Sequence, residues 1–217
     1  TVTYDVVIVV NTLDDQYYEA VLNEFREADV VRTESNGRSG KGHNSVLDVF
    51  RARQGYDYLF MLDGDDFLFP CALRHVERFI ADSRPEVLML MYHDTLSTRD
   101  GPTTTRVILR NNLVWTYNVQ EDMNRKWLVD KGKNPFEHSV SELNTIGRLV
   151  LFSRHAAETF GVRYDEECEL YDDYIACMRF VELAKEGQRV MCTSDPNIYL
   201  YNQINARSQS ARFVPEK

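Results

Sequence analysis

The stretch Tyr58–Pro70 reads YLFMLDGDDFLFP, and the fold assignment starts there. Tyr58–Leu62 (YLFML) is a short continuous apolar run, the pattern of a strand buried on both faces of a helix-flanked sheet. Asp63-Gly64-Asp65-Asp66 follows at once, so three carboxylates stand at the carboxyl end of that strand. The carboxyl ends of strands are where open α/β sheets bind ligands. Like charges held this close raise one another's pKa unless a cation compensates them. A hard divalent ion, Mn2+ or Mg2+, prefers oxygen ligands and would relieve that cost, which makes Asp63, Asp65 and Asp66 candidate metal ligands. The competing explanation is a plain acidic turn in which Asp66 caps the next helix. Pro70 suits the first turn of that helix, predicted to run to about Asp82.

Working outward, Tyr4–Val10 (YDVVIVV) is a second run of the buried-strand kind, broken by Asn11-Thr12-Leu13-Asp14. Asp14 or Asp15 caps a helix predicted from about Gln16 to Ala28, with Tyr18, Val21, Leu22 and Phe25 at helical spacing. Val30–Arg32 is a short strand, Ser35–Gly42 a glycine-rich loop, and Asn44–Gln54 a helix closed by Gly55. The first 80 or so residues therefore read β-α-β-α-β-α, which predicts a doubly wound α/β layer with right-handed connections. Beyond it come a strand at Val87–Tyr92 and a hairpin of Thr103–Arg110 with Leu113–Val119 around Asn111-Asn112. Gln120–Phe136 is polar and irregular. Arg148–Phe152 reads as a strand, Arg154–Phe160 as a short helix ending at Gly161, and Tyr171–Glu186 as an amphipathic helix ending at Gly187. Strands near Val190–Thr193 and Ile198–Tyr201 complete the reading.

Composition narrows the function. The chain has 217 residues and a formal charge of −9, from 25 Lys+Arg against 34 Asp+Glu. That balance argues against nucleic-acid binding by general phosphate neutralisation. With 43% apolar residues it is too hydrophobic for a disordered acidic segment. No apolar run approaches the ~20 residues of a membrane span, and no signal-peptide pattern opens the chain. The expectation is one domain, residues 1–217, with a nucleotide-binding half to about residue 100 and an acceptor half beyond. The start at Thr1 rather than Met reads as a cut end, so further domains of a longer chain are expected as partners. Cys71, Cys168, Cys177 and Cys192 form no C-x-x-C and no zinc spacing, which suggests reduced thiols and a cytoplasmic setting. The five histidines make no metal array, and no Gly-x-Ser-x-Gly elbow is present.

Two further segments carry candidate chemistry. Asn36–His43 (NGRSGKGH) looks like a phosphate loop, but Ser35 stands where the Walker pattern needs Gly, and Gly42 where it needs Ser or Thr. What remains is a basic loop leading into a helix N-terminus, able to meet an anion. Tyr171-Asp172-Asp173-Tyr174 opens the last long helix. Two acids there favour the helix dipole, each worth ~0.3–1 kcal/mol, and one of them could instead serve as a general base.

Three pieces together, VVIVVNTLD (Val6–Asp14), SNGRSGKGHNSVLDVFRARQGYDYLFMLDGDDFLFP (Ser35–Pro70) and ELYDDYIACMRF (Glu169–Phe180), resemble the GT-A-fold nucleotide-sugar glycosyltransferases, family 2 inverting enzymes above all. Asp63, Asp65, Asp66 and Pro70 match the family's Asp-x-Asp arrangement; His43-Asn44 matches its basic-Asn helix start; Asp172-Asp173 and Arg179 match its acidic pair and following Arg. The order holds over about residues 4–202. The resemblance implies a doubly wound, mostly parallel central sheet flanked by helices, with a small antiparallel hairpin region. It implies a UDP-sugar donor, Mn2+ or Mg2+ on Asp65 with Asp63 and Asp66 in support, and a glycan or glycoprotein acceptor. It places Asn11, Thr12, Leu13, Asp14, Arg38, Lys41, Asn44, Asp63, Gly64 and Asp65 at the donor, with Asp173 or Asp172 as the base. The chain is also similar to amino-terminal domains of chlorella-virus glycosyltransferases, which implies work on capsid glycans in the host cytoplasm.

There are departures. The family's acidic pair is commonly Glu-Asp, and no His follows His155 to join the metal. The Gln-x-x-Arg-Trp segment and membrane spans of processive synthases are missing from the sequence, which argues for transfer of one sugar. A nucleotidyltransferase would carry a Gly-rich signature after its first strand, where this chain reads NTLDDQ. A non-catalytic nucleotide- or sugar-binding module is the remaining alternative; it would never release UDP.

Overall fold

The computed structural model describes residues 3–90, 93–94, 97–98, 101–102, 137–139, 149–168, 172–193 and 198–201. The predicted hairpin Thr103–Val119 lies outside the described residues, as does the polar segment Gln120–Phe136.

Strand β1 (Val7–Asn11), helix α1 (Asp15–Glu24) and strand β2 (Asp29–Thr33) form the first β-α-β unit. The two strands are parallel and in register from Val7 opposite Asp29 to Asn11 opposite Thr33. Asp14 caps α1, accepting from the amides of Gln16 and Tyr17 at 2.8 and 3.1 Å. Helix α1 buries no residue fully, and Phe25, expected to face inward, is 47% exposed just past its end. Strand β1 is likewise only half-buried apart from Val10, short of the two-sided burial its apolar run suggested.

Helix α2 (Ser39–Ala52) begins five residues before the predicted start, which corrects the reading of Ser35–Gly42 as a loop. Its two glycines are poor helix formers in isolation. Tertiary packing overrides that: a Cβ on Gly40 would lie 2.1 Å from the Asp165 carbonyl oxygen, so only glycine lets the helix approach residue 165. About two turns on, Arg163 grips Asp48 with two bonds of 2.9 and 2.6 Å. At the other end the Arg154 guanidinium donates to the Phe50, Arg53 and Tyr56 carbonyls, tying the end of α2 and the chain just beyond it to residue 154.

Strand β3 (Tyr58–Phe60), the short β4 (Phe67–Leu68), helix α3 (Ala72–Ser83) and strand β5 (Val87–Leu90) follow. The pairs β6 (His93–Asp94), β7 (Ser97–Thr98), β8 (Gly101–Pro102) and the strand β9 (Glu137–Ser139) are short. Then come β10 (Leu149–Ser153), α4 (Arg154–Thr159), α5 (Asp172–Lys185), β11 (Val190–Thr193) and β12 (Tyr199–Tyr201). The main sheet has the order β3-β10-β5-β11-β9. Strands β5 and β11 are parallel, while β10 runs antiparallel between β3 and β5, and β9 antiparallel to β11.

All four residues of β5 are buried, and they alternate between two cores. Val87 and Met89 face Leu47 and Phe50 of α2 and Phe180 and Leu183 of α5. Leu88 and Leu90 face Ala72, Val76 and Phe79 of α3, with Ile198 and Tyr199. Strand β10 obeys the same period of two, Val150 and Phe152 against Leu151. Helices on both faces of a continuous apolar strand are what β5 shows; the run YLFML falls short of it, since β3 is only half-buried and Leu62 beyond it is 40% exposed. Cys177 lies in the first core with its Sγ 3.4 Å from Met89 Sδ, and Cys71, Cys168 and Cys177 form no disulfide.

Candidate functional site

The acidic motif sits where β3 ends. Asp63 and Asp66 close a turn through the Asp66 amide and the Asp63 carbonyl at 3.1 Å, with exposed Gly64 at its tip. Its three carboxylates go to different surroundings. Asp66 is buried and accepts from the Tyr199 hydroxyl of β12, so this candidate metal ligand anchors the turn to the small sheet behind it. Asp63 has a side chain 45% exposed, and its Oδ1 lies 3.2 Å from His43 Nε2. Asp65 is half-buried on the turn.

His43 is the residue that joins the acidic motifs. Ser39 and His43 are four apart on α2 and therefore on one face. Ser39 Oγ donates to Asp172 Oδ1 at 2.7 Å, and His43 Nδ1 lies 2.8 Å from Asp172 Oδ2. Both nitrogens of one ring thus meet carboxylates, Asp172 on one side and Asp63 on the other. The ring packs on Tyr164 with centroids 4.5 Å apart. Burial by itself would lower the His43 pKa, but hydrogen bonds and attraction from Asp172 and Asp63 prevail and push it up to about 10. At neutral pH the ring is an imidazolium donating from both nitrogens. Burial raises the Asp172 pKa, and the bonds from His43 and Ser39 outweigh that and hold it below the usual carboxylate range. The cation expected to relieve the acidic turn is, in part, the protein's own.

Both oxygens of buried Asp172 are thereby engaged. Asp173 follows it in the first turn of α5 and is half-buried. Of the predicted donor-side residues, Asn11 donates to Thr33 Oγ1 and Ser45 Oγ at 2.9 and 2.8 Å, tying β1, β2 and α2 together. Its Oδ1 is buried with no hydrogen-bond partner. Thr12 Oγ1 accepts from the Asp14 amide, Asp14 caps α1, and Leu13 is 71% exposed. Arg38 stands at the N-cap of α2. Lys41 Nζ lies 3.5 Å from Glu166 Oε2. Asn44 is buried; its amide donates to the Tyr164 carbonyl and Glu166 Oε1 and accepts from the Tyr164 amide, which makes it a clamp on residues 164–166.

The structure thus brings Asp63, His43, Ser39 and Asp172 into one hydrogen-bonded chain. It directs Asp66, Asp14 and Asn44 to structural bonds. Ser39, His43 and Tyr199 were not among the site residues expected from sequence; His43 was named only beside Asn44, at the helix start of the family resemblance. The signal for the first two was their spacing of four, which has meaning only on a helix, and that stretch read as a loop. Among the described residues no three His, Cys, Asp or Glu side chains converge as a metal cluster. Asp63 and Asp65 are oxygen donors with solvent access, the ligand chemistry a hard divalent cation would take. A cavity of about 750 Å³ lies at the other end of β1 and β2, lined by Asp5, Val6, Phe25, Asp29, Arg53 and Tyr56. Its Arg53 is paired with Asp29 and its Tyr56 hydroxyl donates to Asp5.

No helix among the described residues is long and apolar enough to cross a membrane. No protein-family model matches the chain, and no curated protein sequence matches it. Solved structures do. S. aureus TarS 1-349 in complex with UDP-GlcNAc is similar at a TM-score of 0.63 and 18% identity, over 97% of this chain and 52% of that one. The same protein in complex with UDP gives a TM-score of 0.59 at 18% identity over 91% and 51%. The longer S. aureus TarS gives 0.58 at 17% identity over 91% and 31%. The chain therefore spans about half, or less, of the proteins it matches. At this identity the likeness establishes architecture: the chain has a mixed α/β fold of the GT-A type.

Proposed function

We propose that this chain is a metal-dependent glycosyltransferase domain that moves one sugar from a UDP-sugar to an acceptor hydroxyl with inversion. The observation that carries the reading is the meeting of the acidic turn after β3 with the acid-led start of α5, through His43. A GT-A type fold and fold neighbours whose structures hold UDP-GlcNAc and UDP support the donor class. Glycan acceptors and a capsid setting rest on the sequence resemblance.

Asp65 and Asp63 would hold Mn2+ or Mg2+, which when bound neutralises negative charge on the leaving diphosphate. The segment Asn11–Asp14, at the carboxyl end of β1, would receive the nucleoside, and Arg38 and Lys41 the base or diphosphate. Asp173 is the base in this reading, as the sequence resemblance implies, while Asp172 accepts from Ser39 and His43. It takes the proton of the acceptor hydroxyl as that oxygen bonds to the sugar C1. The bond from C1 to the phosphate oxygen breaks on the opposite face and UDP leaves with its electrons. One displacement of this kind inverts the anomeric centre. A positioned base is worth typically ~10²–10⁴ in rate.

The test is calorimetric titration with UDP in Mn2+ and then in EDTA, followed by UDP release from a panel of UDP-sugars. Metal-dependent UDP binding and release from one donor are expected. Binding without release would make the chain a binding module. No binding to UDP by the folded protein would remove the donor assignment.

A further inference from the structure

The connection between the two acidic motifs has a rigid middle. The His43 ring is held at both nitrogens, 2.8 Å from Asp172 Oδ2 and 3.2 Å from Asp63 Oδ1. Tyr164 covers its face, and its side chain is only 16% exposed. It can neither rotate nor withdraw without leaving a carboxylate unmatched. Asp172 is fixed on its other oxygen by Ser39, from the same helix face. Helix α5 starts at Asp172, so whatever fixes that side chain also fixes the first turn, where Asp173 sits. A flexible cation such as Lys would neutralise the same charges without setting a distance; a planar ring with donors at two corners sets one.

From this we propose, resting on the glycosyltransferase reading, that His43 is a positioning residue for transfer: it spaces α5, and with it Asp173, from the donor-binding turn. It touches neither donor nor acceptor. Its role is to keep the proton acceptor at a fixed reach from the sugar C1 that the acidic turn presents. A displacement near 1 Å at such a point costs on the order of 10²-fold in rate.

The experiment compares UDP release and calorimetric UDP–Mn2+ binding in the wild type, His43→Ala, His43→Gln and Ser39→Ala, with turnover expressed per UDP-binding site. His43→Gln keeps bulk and a single donor nitrogen, so it cannot span both carboxylates and serves if His43→Ala does not fold. Expected is a kcat loss on the order of 10²-fold in both His43 variants, much larger than any rise in donor KM. Ser39→Ala should lose several-fold in the same direction, because Asp172 keeps its His43 bond. A purely structural His43 would lower the melting temperature and the number of binding-competent molecules while kcat per site stayed at the wild-type value; that result overturns the proposal. A wild type that releases no UDP from any donor overturns the transferase reading and the positioning role with it, and is told apart because the failure is in the parent protein.

Discussion

Raising the pH should weaken this fold well before lysines or tyrosines titrate, and His43 is the reason. In the folded protein its proton is held to about 10, against an ordinary value of 6.5 in the unfolded chain. Between those values the folded state carries one proton more than the unfolded state, so stability falls as pH rises. The contribution is complete below about 6.5 and gone once pH passes about 10. One proton of difference is about tenfold in the folding equilibrium per pH unit, or about 3 kcal/mol from pH 7 to pH 9. With a urea slope of about 1–3 kcal/mol/M, the midpoint should drop by about 1–3 M over those two units. Asp172→Asn weakens the hydrogen bond that does most to favour the His43 proton and removes one of the two charges beside it. The variant should be less stable at pH 7 and show a flatter decline toward pH 9. On the acid side the sign reverses: Asp172, held below its ordinary 3.8, contributes stability above that value that is lost as pH falls through its folded pKa. The assay is urea denaturation of both proteins at pH 7, 8 and 9. A wild-type midpoint level across that range, or parallel curves for the two proteins, would refute the doubly bonded imidazolium.

Four further outcomes are expected. Gly40→Ala places a Cβ 2.1 Å from the Asp165 carbonyl oxygen and should cost ~1–3 kcal/mol or more; an unchanged thermal midpoint would contradict the close approach of α2 to residue 165. Tyr199→Phe removes the hydroxyl that donates to buried Asp66, so chemical denaturation should show a loss of ~1–3 kcal/mol. Asp65→Asn, half-exposed on the turn, should melt like the wild type yet lose Mn2+-dependent UDP affinity in calorimetry; retained metal dependence would move the metal elsewhere. Asp173→Asn should bind UDP normally and lose turnover, and near-normal UDP release would return the base to another residue.

Much of the fold was legible because strand and helix periods are local. The run VLML at Val87–Leu90 is apolar throughout because both faces of β5 are covered, and that appears in sequence as an unbroken stretch. The cap at Asp14 and the glycine ends at Gly161 and Gly187 were equally local, the glycines at φ 61° and 90°. The start of α2 was not legible. Gly40 and Gly42 argue for a loop unless one knows that the Asp165 backbone lies against Gly40. Nor could the antiparallel insertion of β10 between β3 and β5 be read, since nothing in LVLFS names its neighbours.

The sequence by itself determined that carboxylates gather at a strand end and at a helix start, because turn chemistry and apolar runs fix both positions locally. Tertiary structure decided what each carboxylate does. Asp66 and Asp172 are drawn inward by Tyr199 and His43, residues 133 and 129 positions away in the chain, while Asp63 retains solvent on one side and His43 on the other. A carboxylate's role depends on its partner and its burial, and both are set by which distant elements pack together rather than by its neighbours in the chain.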